Sequence, residues 1–311
     1  MKKFTHINAN TVNEAVDLLG EYGDSASVIA GGTDLLGELV LRSRREQPEY
    51  IINLKTIGLN SINTTSSGIT IGALTPLHDI AFSSDVLSDY PALAQAARKV
   101  ASWQIRNMGT IGGNICQDVR CMYFRSSGNK FDCIRKGGAL CYSTLGDNRF
   151  NSIFAGAAGC IAVSPSDTAP VLVALDATIV TSSRSIAAED FFDGLNTTVL
   201  ANDEIVTEIQ IPTPASGSKQ SFVKASIRRA IDFALASAAV FVTSDDARVV
   251  MGGVAPTPYR ATGAEDAIKG QAISESVADA AAAAAVSGAV KLTTNGYRIQ
   301  VAKGVVKKAV L

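Results

Sequence analysis

The residues best suited to chemistry are five cysteines, all of which fall between positions 116 and 160 of a 311-residue chain. Their order is Cys116-x4-Cys121-x11-Cys133-x7-Cys141-x18-Cys160, interspersed with Gly128, Gly137, Gly138, Gly146 and Gly159 and with few apolar residues. A long loop of that composition has no core of its own and needs something to organise it. Disulfides would leave one cysteine over, and no export signal is visible. A four-thiolate zinc site usually shows C-x2–4-C pairs, and no two of the last four cysteines are that close. Inert buried thiols would be scattered through the core instead. Ligation of an iron–sulfur cluster suits soft sulfur donors and tolerates irregular spacing. The spacing favours the cluster and leaves the other three readings open.

Two glycine loops offer a second kind of chemistry. Gly31-Gly32-Thr33-Asp34-Leu35-Leu36 follows the apolar run Ser27–Ala30, and Gly109-Thr110-Ile111-Gly112-Gly113-Asn114 lies further on. Paired glycines admit positive φ and expose successive backbone N–H groups, which suit a pyrophosphate. Either loop alone is equally well a tight turn. The G-x-G-x-x-G spacing of a nicotinamide-binding unit is missing, which disfavours that class. His6 and His78 are the only histidines, and neither sits in a nucleophile or metal-ligand motif. A borrowed cofactor is the better source of reactivity.

The elements that must position these residues can be read from pattern. Thr11-x-x-Glu14 is a capping box, Val12, Ala15, Val16 and Leu19 form an apolar stripe, and Gly20 or Gly23 ends the helix. Residues 27–30, 50–54 and 69–74 read as strands, Thr75-Pro76 opens a helix, and Pro91 to Lys99 reads as another. Apolar residues recur in alternating fashion at Val171 to Leu175, Ala177 to Val180, and Ile205, Ile209 and Ile211. Residues 213–220 are short, polar and Pro/Gly/Ser-containing, the best linker in the chain. Beyond them lie strands near 221–225, 236–243 and 248–254, then helices over about 275–290 and 296–310. The expectation is an α+β protein with domains 1–214 and 215–311.

Bland readings hold for the remaining conspicuous residues. Arg42-Ser43-Arg44-Arg45-Glu46 reads as a charged helix face, His78 as a partly exposed helix residue, and Trp103 and Tyr123 as packing aromatics rather than flanks of a redox centre. Arg228-Arg229 with Asp232 is either a solvated charge group or a cofactor neighbour. Hydrophobic residues make up 47% and charged residues 18%, with a net charge of −1 and no basic block, so nucleic-acid binding is discounted. No stretch approaches the roughly 20 apolar residues of a membrane span, and a cytoplasmic location is expected.

Taken together, the motifs resemble a known family. Ile29-Ala30-Gly31-Gly32-Thr33-Asp34-Leu35-Leu36, Arg106 to Ile115 and Ser164-Pro165-Ser166-Asp167 resemble the FAD subunits of the xanthine dehydrogenase and carbon monoxide dehydrogenase family. Glu204-Ile205-Val206, Phe222-Val223-Lys224, Gly252 to Ala255 and Pro258-Tyr259-Arg260 continue the match over nearly the whole chain. The resemblance implies a two-subdomain FAD-binding domain of the PCMH type, then a small C-terminal domain like that of the carbon monoxide dehydrogenase flavoprotein. By the same match Ile29, Ala30, Gly31, Gly32, Thr33, Asp34 and Leu35 wrap the FAD pyrophosphate, and Thr110, Gly113 and Asn114 line the flavin site. Ser166, Asp167, Val206 and Lys224 complete the implied cofactor contacts.

One departure stands out: about fifty residues separate the Gly-Gly-Asn loop from the Ser-Asp pair, and the cysteines lie in them. Residues 117–161 resemble the insertion of the 4-hydroxybenzoyl-CoA reductase and periplasmic aldehyde oxidoreductase flavin subunits, which carries a 4Fe-4S cluster. Cys121, Cys133 and Cys141 match its positions directly; Cys160 is the fourth ligand by the aldehyde oxidoreductase arrangement, with Cys116 the poorer alternative. The implied role is an electron-transfer subunit holding FAD and a 4Fe-4S cluster. Its implied partners are a molybdenum-cofactor large subunit and a 2Fe-2S small subunit, in a dimer of heterotrimers, with an external carrier such as ferredoxin. The rivals are a self-contained FAD oxidoreductase and a zinc-stabilised scaffold.

Overall fold

The first helix starts where its own side chains cap it. Thr11 Oγ1 accepts the Glu14 amide at 3.1 Å, and the Glu14 carboxylate accepts the Asn10 amide at 2.7 Å, so the helix runs Val12–Tyr22. Its stripe, Ala15 and Leu19, packs on Ile52 and Leu54. The computed structural model describes residues 1–228 and 231–311.

Strands β1 (Thr5–Asn8), β2 (Ala26–Ile29) and β3 (Tyr50–Asn53) form a parallel sheet with β3 central. A second, antiparallel sheet is built from β4 (Ile62–Thr65), β5 (Gly68–Gly72), β6 (Thr178–Thr181), β7 (Ser185–Ala187) and, beyond the small hairpin β8 (Phe192–Asp193) and β9 (Thr197–Thr198), β10 (Val206–Pro212). Its order is β4-β5-β10-β6-β7. Ile209 and Ile211 of β10 and Ile69 and Ile71 of β5 face a core shared with helices Leu77–Phe82 and Pro91–Lys99. The run Val171 to Leu175 belongs to a helix, Ala169–Ala174, every residue of which is buried. A helix with no exposed face carries no polar alternation, so its pattern could not be told from a strand's.

The final third is an antiparallel meander, β11 (Lys219–Ala225), β12 (Ala236–Val242), β13 (Ala247–Gly252) and β14 (Tyr259–Arg260). Strand β12 is buried on both faces. Ala236, Ala238 and Val240 meet helices Thr262–Ile268, Glu275–Ala285 and Tyr297–Val310, while Ala239 and Phe241 join the core of the N-terminal sheets. The helix Thr262–Ile268 had no expectation from pattern, and the alanine-rich one stops at Ala285. Helices and strands are largely segregated, which makes the architecture α+β.

Residues 117–161 have little regular structure beyond short helical turns and a small core of Val119, Phe124, Cys133, Cys160 and Ala162. They are held from outside: Arg45 pairs with Asp132 at 3.1 Å, Thr294 donates to Asn148 Oδ1 from its amide at 2.9 Å, and Ser152 Oγ donates to the Val254 carbonyl at 3.0 Å. Among the described residues no helix is long and apolar enough to cross a membrane.

Replacing Ile71, fully buried in β5, with alanine should cost about 2–5 kcal/mol of stability. Urea unfolding measures it, and the partly buried Ile62 should lose clearly less.

Candidate functional site

Beyond β2 the chain turns through Ala30 to Asp34 before the helix Leu35–Leu41. A Cβ on Gly31 would lie 2.0 Å from the Met108 carbonyl oxygen, so the entry to the second glycine loop lies backbone to backbone against the first. Gly32 has φ +71°, the left-handed region that favours glycine. Among the described residues the amides of Gly31, Gly32, Thr33 and Asp34 donate to no backbone carbonyl, an arrangement that suits an anion. The second loop differs. Ile111 donates to Thr75 O at 3.0 Å, Gly112 to Ala73 O at 2.9 Å and Gly113 to Thr110 Oγ1 at 3.2 Å. It buttresses more than it cradles.

The two loops wall a cleft of about 310 Å³, which Ile29 to Leu35, Thr110, Gly113 and Val206 all line. Glu204 lies on the same wall. Its carboxylate accepts from Arg184, Thr181 and Ser183 and from the Ala201 amide. Arg184 above all holds that carboxyl down to about 2, from an ordinary 4.5.

Ser166 and Asp167 line a second cavity, of about 370 Å³, with Ala162 to Pro165, Phe233 to Leu235 and Gly253. Asn114 and Lys224 line neither cavity; they hold the residues that do. Asn114 Oδ1 accepts from Ser166 Oγ at 2.6 Å and Thr168 Oγ1 at 2.7 Å, sewing the glycine loop to the Ser-Asp segment. The Lys224 ammonium meets the Asp167 carboxylate at 2.5 Å, with both side chains buried, and donates to Lys99 O at 3.0 Å. Burial pushes the Asp167 carboxyl up and Lys224 opposes it.

Cys121, Cys133, Cys141 and Cys160 line one small cavity of about 10 Å³, together with Tyr123, Phe124, Arg135 and Tyr142. Burial raises the Cys133 and Cys160 thiols, opposed by Lys136 at the former and Arg135 at the latter. Cys116 lies instead on the wall of the first cleft, where burial pushes its thiol up to about 12. Cys121 lines both the cysteine cavity and the second cavity. Among the described residues no three His, Cys, Asp or Glu side chains are grouped so as to hold a metal ion.

Several functional contacts escaped the sequence reading. Asp34 pairs with Arg120 and, at 2.8 Å, with Arg125, and accepts the Asp118 amide at 2.9 Å. Glu38, one turn on and fully buried, meets Arg125 at 3.1 Å and is also paired with Arg44. Burial raises its carboxyl, Asp118 adds to that, and the two arginines oppose it. The stretch Arg42 to Glu46 is therefore no helix face: the helix ends at Arg42, with φ 51°, and Arg44 turns back to Glu38 and Ser27. The one available signal was the i, i+4 spacing of two acids after the glycine turn.

Asp232, paired with Arg228 at 2.9 Å, lines the second cavity, while Arg229 lies outside the described residues. Half-buried His78 and exposed Trp103 pack together with Phe82 at the surface. Tyr123 packs on Phe131 and accepts the Asp147 amide at 2.7 Å.

Comparison with known proteins matches the FAD binding domain in molybdopterin dehydrogenase over residues 2–214 and the CO dehydrogenase flavoprotein C-terminal domain over 221–311. The chain belongs to the FAD-binding subunits of this molybdenum hydroxylase family. Relatives include the aldehyde oxidoreductase FAD-binding subunit of Escherichia coli, 34% identical over 277 residues, covering 85% of this chain and 86% of that protein. Another is the glyceraldehyde dehydrogenase medium chain of Sulfolobus acidocaldarius, 32% identical over 283 residues, covering 88% and 83%. Among solved structures, carbon monoxide dehydrogenase from Hydrogenophaga pseudoflava lacking its Mo-pyranopterin moiety superposes with a TM-score of 0.79 at 28% identity, covering 99% of this chain and 96% of that one. This FAD-binding subunit is thus a component of an oxidoreductase.

Alanine at Gly31 is expected to push the two loops apart, lowering both the melting temperature and the flavin retained on gel filtration. Wild-type values for both in Gly31→Ala would contradict the contact. For Glu204, whose folded value lies below its unfolded one, the stabilisation is present above pH 4.5 and lost as pH falls toward 2. Glu204→Gln should remove about 1–3 kcal/mol at neutral pH, allowing for the half-exposed Arg184. It should also flatten the acid limb of a urea-midpoint series run against pH.

Proposed function

We propose that this subunit carries FAD and a 4Fe-4S cluster and relays electrons between its molybdenum and 2Fe-2S partner subunits and an external one-electron carrier such as ferredoxin. The observation that carries the cluster is the gathering of Cys121, Cys133, Cys141 and Cys160, from positions spread over forty residues, around one cavity that shares Cys121 with the cavity of Ser166 and Asp167. A 4Fe-4S cluster takes one thiolate at each of four irons, so its ligands need not converge as those of a single ion must. Arg135 and Lys136 supply positive charge where thiolates would form.

The open amides of Gly31 to Asp34 suit the FAD diphosphate, with Thr110, Gly113 and Val206 on the facing wall. The second cavity, largely apolar and lined by Asp167, which Lys224 holds from behind, suits the flavin ring. FAD supplies the exchange between paired and single electrons. The protein's own tasks would be to orient the ring with Ser166 and Asp167, to hold Asp167 with Lys224, and to set Cys121 in the wall that the two cavities share. Cys116, on the wall of the first cleft and apart from the other four, takes no part in ligation. The partners are a large and a small subunit, since relatives of this chain are named as medium chains.

Metal and flavin analysis of the anaerobically purified complex tests the reading: about one FAD and four irons per copy of this chain, beyond the partners' own, are expected. Cys133→Ser should lose that iron and keep FAD, whereas Cys116→Ser should keep both. Stoichiometric zinc in place of iron, or full iron after joint replacement of Cys121, Cys133 and Cys141, would refute the cluster.

A further inference from the structure

The helix Tyr297–Val310 begins with a buried cation that none of these roles employs. Arg298 is 1% exposed and is the largest fully buried side chain. Among the described residues its hydrogen bonds run only to backbone carbonyls: Asn151, Leu235 (3.1 Å from Nε) and Gly253. Those acceptors come from three places far apart in the chain, namely the later part of the cysteine-bearing segment, the residue before β12 and the turn after β13. All three line the second cavity, and Arg298 does not. Asn295, one turn earlier, reinforces the grip by donating to Ser152 O at 2.7 Å.

A guanidinium matches three carbonyls because its donors are fixed in a planar fork. Shape alone would not require a charge there. Burying an ion without a counter-ion is costly, and a neutral side-chain amide could donate to some of the same carbonyls. Burial lowers the Arg298 pKa to about 10, which leaves it cationic at neutral pH. Carbonyl dipoles solvate that charge without cancelling it, so positive potential reaches the cavity the three carbonyls wall.

We propose that Arg298 is a positioning residue for the flavin ring, fixing one wall of the second cavity and raising the reduction potential of the bound FAD. The inference rests on the reading that the ring occupies that cavity. A ring that takes up two electrons and one proton gains a negative charge, and a buried cation behind its wall favours that state over the neutral oxidised one.

The test is anaerobic spectroelectrochemical titration of the intact complex carrying Arg298→Gln or Arg298→Lys. The glutamine variant should shift the two-electron flavin couple to lower potential by at least a tenfold change in the oxidised-to-reduced ratio, about 30 mV. The lysine variant keeps the charge but reaches fewer carbonyls. It should stay near the wild-type potential while losing FAD about tenfold more readily on dilution. A glutamine variant that retains FAD at wild-type potential overturns the proposal, as does insolubility of both variants, which would make Arg298 a scaffold residue alone. Wild-type complex lacking FAD would instead sink the reading on which this one rests.

Discussion

The contact on which the site depends is between two stretches of backbone. The Cα of Gly31 stands so close to the Met108 carbonyl that no side chain can intervene. That approach brings the carboxyl end of a parallel strand against the turn leading into the second glycine loop. Ligands of open parallel sheets sit at such strand ends. Everything else in the first cleft follows from it: the facing wall is within reach, the amides of the first turn stay free of internal partners, and the second turn spends its own amides on Thr75, Ala73 and Thr110 to remain rigid. One loop binds and the other braces.

A second constraint is how a segment nearly devoid of regular structure keeps a shape. Residues 117–161 are anchored on the N-terminal side by Asp34 and Glu38 through Arg120 and Arg125, and on the C-terminal side by Thr294, Asn295 and Arg298. Buried ion pairs of this sort contribute little net stability, because desolvation offsets most of the attraction. Their value is specificity of register. An unpaired Glu38 in that interior would be costly, so the loop has one favourable way to lie.

What could be read from the chain beforehand divides along the range of the interactions. The capped helix Val12–Tyr22, the helix opened by Pro91 and the meander β11 to β13 depend on neighbours in sequence, and pattern located them. The helix Ala169–Ala174 was hidden because total burial erases its periodicity. The glycine turns were legible as turns, while their division into binding and bracing partners was not, since it depends on which distant carbonyls each amide meets. Asp34 was legible as part of a loop, yet its partners lie 86 and 91 residues away. Arg298, on a helix with several other cations, carries no local mark of burial at all.

The clamp at Asp34 has a thermodynamic corollary for assembly. It joins the turn presenting free amides to the turn presenting Cys121, so neither can be ordered without lowering the entropy cost of ordering the other. Linkage of this kind is reciprocal. Any ligand that organises the Arg120–Arg125 turn must tighten binding at the Gly31–Asp34 turn by the same factor that the second ligand confers on the first. If FAD sits at the one turn and the proposed cluster at the other, a protein lacking either group holds the other more loosely.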